Sequence, residues 1–335
     1  MTTLYVTEHG VTLSLKQEQL TLVKEGFMLR SLPIEKVDSV TVLSSSHMEP
    51  ALSFALLERG IPVTFLSPSG KYIGRLDPVQ GQNVDRQIAQ FRAVDDPIFC
   101  LKLARRTVAA KIRNGRTLLM RYQRDRPHEA LAIAIPRLQT AEREAAEAID
   151  LEMLRGHEGH ASKEYFRALG ALLPPPFNFT LRSRRPPMDR ANACLSLGYT
   201  LLLYAFYTAV RDRGLHPYLG FYHAPRHGHP ALCSDLIEDW RAPFIDALVV
   251  SLVGHRELDP DQFTEAPEPG GIYLGGEGLK VFLNRFEQRM RTSNRYLTYV
   301  DHAVTYRESM SFQVGSLARA IELKDADLYR PLEVR

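Results

Sequence analysis

Near residue 80 the apolar residues of this chain change their spacing, and that change rules out one continuous architecture for all 335 residues. Before it, apolar residues alternate or cluster in the short runs LYVTEH, VTLSLK, QLTLVKE and SVTVLSS, separated by turn signals at His9-Gly10, Glu25-Gly26 and Leu32-Pro33. These are strand patterns. A helix over roughly Glu49 to Glu58 precedes a further strand in IPVTFLS, and a turn at Ser69-Gly70 leads into KYIGRL as a hairpin arm. After DPVQGQN the spacing becomes helical: Val108, Ile112 and Leu119 fall on one side of a segment whose Arg and Lys residues point elsewhere. Later helices are separated by LLPPPFNF, SRRPPMD, Gly214, YHAPRHGHP and TEAPEPGG. The expected fold is α+β: a small N-terminal β-strand domain over 1–80, a linker over 81–90, and a larger all-α domain over 91–335. The length, above that of a usual single core, agrees with two domains.

Charge is informative only where it clusters. The net charge of +3 is nearly balanced, but residues 102–126 carry nine basic side chains (among them Lys111, Arg113 and Arg116) against Asp125 alone. A second basic group, Arg182, Arg184, Arg185 and Arg190, lies on the proline-containing segment before the most apolar helix. Both are candidate phosphate-binding surfaces, and solvated or ion-paired arginines are the plain alternative for the second. The odd count of cysteines, Cys100, Cys194 and Cys233, and a start lacking the basic-then-apolar pattern of a secretory signal fit the reducing cytoplasm. The run LSLGYTLLLYAFYTAV is shorter than the roughly 20 residues a membrane helix needs. It is expected to be a buried helix, and no membrane partner is expected.

Four side chains suit a divalent cation. Glu158 lies in HEGH, whose histidines, three apart, miss the four-residue spacing of a zinc protease; Glu158 remains a hard-cation ligand or a solvated glutamate near a helix start. His223 lies in a loop with His227 and His229. It is followed by PALCSDLIEDW, where Asp235 and Glu238, three apart, share the polar side of an amphipathic helix or else form the acidic first turn of a surface helix. Asp239 is about 100° further round and is the weaker candidate. GGIYLGGEGLK and SPSGKYIG both miss the P-loop pattern, and no Ser or Cys stands in a nucleophile elbow.

Taken together, ERGIPVTFLSPSGKYIGRL, AKIRNGRTLL, GHEGHASKEYF, DRANACLSLGYTLL, YLGFYHAPRHGHPALCSDLIEDWRAPFIDALV, GGIYL and YRESM resemble the CRISPR-associated Cas-one (Cas1) family over nearly the whole chain. The resemblance implies a metal-dependent DNA endonuclease and integrase that inserts spacer DNA into a CRISPR array by 3′-hydroxyl attack on phosphodiester bonds. It places the ligands of Mg²⁺ or Mn²⁺, the catalytic set, on Glu158, His223, Asp235 and Glu238. It further implies a homodimer formed largely through the N-terminal half, a bridging Cas-two (Cas2) dimer, and double-stranded prespacer and repeat DNA as substrates. Whether a Cas-four (Cas4) nuclease takes part is left open. DNA contacts are expected at Lys111, Arg113, Lys163, Tyr165, Arg182, Arg184 and Arg185, with core packing the alternative for Tyr165. A structure-selective nuclease acting on branched DNA in repair would use the same residues.

Overall fold

In the computed structural model, which describes residues 3–67, 70–79, 83–177, 179, 181–183, 186–265, 270–297 and 299–334, the chain divides into two compact units, Met1–Gly81 and Gln82–Arg335. The N-terminal unit holds β1 (Thr3–Val6), β2 (Thr12–Lys16), β3 (Gln19–Lys24), β4 (Phe27–Pro33), β5 (Ser39–Val42), β6 (His47–Met48), α1 (Pro50–Glu58), β7 (Val63–Leu66) and β8 (Tyr72–Leu76). They form two four-stranded sheets, ordered β1-β5-β7-β8 and β4-β3-β2-β6. Alternation explains the core: Leu4 and Val6, Val40 and Val42, and Leu13 and Leu20 point inward from successive strands onto Leu52 and Leu56 of α1. Two-residue hairpins require positive φ at both central positions, which Gln17-Glu18 (+48°, +60°) and Glu25-Gly26 (+51°, +84°) adopt. Leu32-Pro33, expected as a turn, instead ends the edge strand β4, where a proline lacking an N–H is tolerated. Of the expected Ser69-Gly70 turn, Ser69 lies outside the described residues and Gly70 has φ +80°.

The second unit is mostly helical. It contains α2 (Val84–Val94), α3 (Pro97–Asp125), α4 (Glu129–Glu147), α5 (Leu151–Ala171), α6 (Arg190–Asp212), α7 (Ala231–Leu236), α8 (Ala247–Gly254), α9 (Gly276–Met290) and α10 (Tyr306–Glu322). Two short antiparallel ribbons, Phe263–Glu265 with Ile272–Leu274 and Ser293–Asn294 with Val304–Thr305, lie between helices that sequence reading expected to stand alone. Helix α2 begins at Val84, inside the stretch expected as linker, because Asn83 caps it by accepting from the Arg86 N–H at 2.9 Å. Helix α6 is longer than expected, 23 residues, because Asp189 caps it ahead of the apolar run; by length and composition alone it could cross a membrane. Its Cys194, Leu202, Phe206 and Val210 are buried in the unit's interior.

The segment expected to be one amphipathic helix after Pro230 is instead four pieces: α7, a 3₁₀ turn at Glu238–Trp240, a wide π turn at Arg241–Asp246, and α8. It is also buried on nearly all sides, so both surface readings of it fail. Pro243 accounts for the break, since it has no N–H to return to the Asp239 carbonyl four residues back. The buried Asn114 of α3 supplies the missing donor, its Nδ2 reaching Asp239 O at 2.7 Å and Leu332 O at 2.7 Å, while its Oδ1 accepts from the Val334 N–H at 2.9 Å. The Asp239 carboxylate accepts from the Leu332 N–H and from Gln313 Nε2, and Gln313 Oε1 accepts from Trp240 Nε1 at 2.6 Å. Residues 332–334 are thereby sewn to the segment that carries Glu238. Replacing Asn114 with Ala strips three buried backbone groups of partners and is expected to lower unfolding stability by roughly 3 kcal/mol or more in urea titrations; a loss under about 1 kcal/mol would contradict this account of the break.

Candidate active site

Glu158 stands mid-way along α5, two turns beyond the cap at which Asp150 accepts from the Met153 N–H, not at a helix start. One turn on, the Ser162 hydroxyl donates to Glu158 Oε1 at 3.1 Å. Helix α3 passes close by at Gly115, where even a Cβ would come within 3.1 Å of the Tyr165 ring. That approach brings Lys111 into contact with Glu158 Oε1.

His223 is placed by Asp235. The loop before α7 turns so that Asp235 Oδ2 accepts from the Phe221 and Tyr222 N–H groups at 2.6 and 3.0 Å, and Oδ1 accepts from the His223 N–H at 2.9 Å. The same Oδ1 lies 2.7 Å from His223 Nδ1. A carboxylate can only accept, so Nδ1 carries the proton and Nε2 is turned toward Glu238 Oε1, 3.7 Å away. Burial alone would lower the His223 pKa; the bond to Asp235 and the charge of Glu238 raise it instead. Gly220 is required here, since a Cβ would fall 2.8 Å from Asp235 Oδ2 and 2.9 Å from the Ala231 backbone.

Glu238 lies at the centre and is wholly buried. Burial pushes its carboxyl up, but Arg241 at 2.9 Å, Lys111 at 2.7 Å and His223 outweigh burial and hold it down at about 2. Glu158 follows the same balance: burial opposes ionisation, Lys111 favours it, and the pKa falls below the usual carboxylate range. Glu238 Oε2 receives no well-formed hydrogen bond although the Lys111 ammonium faces it. Two hard carboxylates thus meet at one cation position, filled by the Lys111 ammonium, and an imidazole nitrogen faces the other Glu238 oxygen; these donor types suit Mg²⁺ or Mn²⁺. Among the described residues, no three His, Cys, Asp or Glu side chains stand close enough together to hold a metal ion, and Lys111 lies between Glu158 and Glu238. Asp235, also expected as a ligand, bonds to the loop and to the ring of His223. Asp239 points into the core, its carboxyl pushed by burial up to about 8.

A cavity open to solvent adjoins the cluster, lined by Lys111, Ser162, Tyr165, Phe166, Glu238 and Arg241 among others. Tyr165 was expected on DNA; it is buried, and its hydroxyl donates to Asp246 Oδ2 at 2.7 Å. Tyr199 donates to the other oxygen of Asp246 at 2.5 Å, and the Arg241 guanidinium lies over the Tyr199 ring. Of the other expected DNA contacts, Lys111 is inside the cluster and Arg113 is paired with Glu142 and Glu333. Arg182 donates to Asn192 Oδ1 at 2.6 Å and Ser196 Oγ at 3.1 Å, and lies over Tyr199. Lys163 is exposed on α5, whereas Arg184 and Arg185 lie outside the described residues. His227 is exposed at a tight turn, and His229 Nε2 pairs with Ser234. Sequence reading missed Arg241, which its spacing of three from Glu238 could have suggested. Nothing in the sequence marked Tyr199 or Asp246.

Replacing Asp235 with Ala is expected to lower stability by roughly 3 kcal/mol, since three backbone N–H groups lose their acceptor. It should also move the His223 titration, followed by NMR, to lower pH; an unmoved titration would show that Asp235 does not set the imidazole.

Comparison with known proteins shows the family. The family model described as CRISPR associated protein Cas1 matches residues 4–288. A Thermus thermophilus CRISPR-associated endonuclease Cas1 is 35% identical over 333 residues, 99% of this chain and 97% of the relative, and a Mycobacterium tuberculosis Cas1 endonuclease is 31% identical over 96% of this chain and 94% of its own. A Geobacter sulfurreducens Cas4 exonuclease/Cas1 endonuclease fusion is 33% identical over 94% of this chain and 56% of the fusion. Among solved structures, a Cas1 protein from Thermotoga maritima has a TM-score of 0.82 at 23% identity, with 96% of this chain and 97% of that one covered. A casposase bound to its integration product has a TM-score of 0.83 at 20% identity, covering 99% and 93%. A chain of a Cas6-RT-Cas1–Cas2 complex reaches 0.85 at 23%, covering 100% of this chain and 36% of its own. By the family match along most of its length, and by relatives above 30% identity over nearly all of it, the chain belongs to the CRISPR-associated Cas1 family of endonucleases.

Proposed function

We propose that this protein is a divalent-metal-dependent DNA endonuclease and integrase that joins spacer DNA to a CRISPR array by attack of a DNA 3′-hydroxyl on a phosphodiester. The observation that supports the reading is the meeting of Glu158 Oε1 and Glu238 Oε2 at one ammonium, with His223 Nε2 facing the other oxygen of Glu238. Glu158, Glu238 and His223 would hold Mg²⁺ or Mn²⁺ beside this pair. When bound, such an ion offsets charge developing on phosphate oxygens and eases deprotonation of the attacking hydroxyl. Asp235 fixes the ring of His223 and its tautomer, the second layer that metal-binding histidines generally need. Arg241, anchored by Glu238, and Ser162 face the adjoining cavity and bind or orient the phosphodiester. The wall formed by Leu138, Tyr165 and Phe166 keeps water from the reacting atoms.

Double-stranded prespacer and repeat DNA are the substrates that fit this chemistry. A homodimer is supported by β4, an unpaired edge on which Phe27, Met28 and Leu29 are 76%, 61% and 50% exposed; an apolar edge of this kind invites pairing with a second copy. A Cas2 dimer as bridging partner is suggested by the solved Cas1–Cas2 assemblies of like fold, and a Cas4 nuclease by the Cas4/Cas1 fusion. Cytoplasmic location is supported by the three cysteines, all buried as free thiols.

Glu158→Ala, Glu238→Ala and His223→Ala are expected to bind DNA yet lose joining of a 3′-ended duplex to a repeat-bearing plasmid, as is the parent in EDTA. Asp235→Asn is expected to lose roughly 10- to 100-fold. Retained joining in EDTA would overturn the metal reading, and nicked or shortened DNA without joined products would favour the branched-DNA nuclease. Phe27→Glu with Leu29→Glu is expected to halve the mass measured by light scattering without lowering the melting temperature; an unchanged mass would exclude β4 as the dimer contact.

A further inference from the structure

Lys111 belongs to the basic segment but does not serve a surface. Its ammonium touches Glu158 Oε1 and lies 2.7 Å from Glu238 Oε2. Divalent cations sit about 2.0–2.6 Å from carboxylate oxygens, so an ion shared by these two oxygens and an ammonium in its present place would overlap and repel each other. One positive group must yield. Arg241 is fixed: it is paired with Glu238 three residues away on the same segment and seated over the Tyr199 ring. Lys111 reaches in from α3 on a flexible four-carbon stem and also lines the adjoining cavity, so it has somewhere to go.

We propose that Lys111 is the resident cation of this site: its ammonium fills the position between Glu158 and Glu238 that a divalent ion takes on loading, and loading is an exchange in which the ammonium withdraws into the cavity. The inference rests on the reading of the cluster as a divalent-cation site. It follows from the cost of leaving a buried carboxylate, Glu238, beside the half-buried Glu158 with no cation between them, which like-charge repulsion and burial together oppose. Lys111 therefore keeps the ligands ionised and assembled before loading, at the expense of affinity for the ion, since both cations need the same lone pairs.

The test is Mn²⁺ binding by the full chain without DNA, read from the electron paramagnetic resonance signal of free Mn²⁺, for the parent, Lys111→Met, Lys111→Gln and Glu158→Gln. Both Lys111 variants are expected to bind Mn²⁺ about tenfold tighter or more, about 1.4 kcal/mol. Their melting temperatures, below the parent's in EDTA, should rise further than the parent's when Mn²⁺ is added. Binding by the parent that is lost in Glu158→Gln but equal or weaker in both Lys111 variants would overturn the exchange and leave the cation site standing. Absence of binding in all four proteins would overturn the site and the exchange with it. A Lys111 variant that folds only with Mn²⁺ present supports the exchange, and one that stays unfolded with Mn²⁺ counts against it.

Discussion

A carboxylate that is wholly buried and yet ionised sets the terms for the second unit. Taking an isolated charge out of water costs far more than a domain's net stability, so Glu238 can exist as it does only if compensating charges are built around it. They arrive from three places: Lys111 from α3, Arg241 from the wide turn, and His223 from the loop ahead of α7. Each supplier is held in turn, Lys111 by the close passage of α3 and α5 at Gly115 and His223 by the four bonds that Asp235 makes to its loop. Packing and electrostatics here are one problem. A shift of any of these elements would leave a buried charge alone.

This inward demand explains why the basic stretch of α3 is less of a phosphate track than its composition suggests. Arg105 donates to the Ala148 carbonyl, Arg106 to Tyr329 O and Asp327, Arg113 to Glu142 and Glu333, and Arg116 to Glu142. Positive charge on this helix binds its own unit together before it binds anything else.

Much of this was legible in the sequence. Period-two alternation and the Glu25-Gly26 turn marked the strands, helical spacing marked α3, and a long apolar run marked α6, because these signals are local. The family resemblance brought Glu158, His223, Asp235 and Glu238 to one site; in the structure Glu158 and Glu238 meet at Lys111, and His223, paired with Asp235, faces Glu238. What could not be read was direction. Asp235 and Glu238, three residues apart, looked equivalent as ligands until backbone N–H groups claimed Asp235. Arg182 and Arg113 looked free until Asn192 and Glu142 claimed them. The breaks around Pro243 depend on an Asn 125 residues upstream, and no window of sequence spans that distance. β4 was missed because its apolar side chains face outward, against the pattern that identifies a strand.

Trp240 is the only tryptophan in the chain and sits two residues from Glu238, its indole enclosed by Phe206, Phe244 and Tyr306. Excited selectively over tyrosine, the protein therefore carries a native fluorophore whose emission arises from the ligand-bearing segment alone. Wavelength and quenching report that segment's surroundings without a label or a substitution, and Trp240 makes the molecule its own optical sensor for events at the centre.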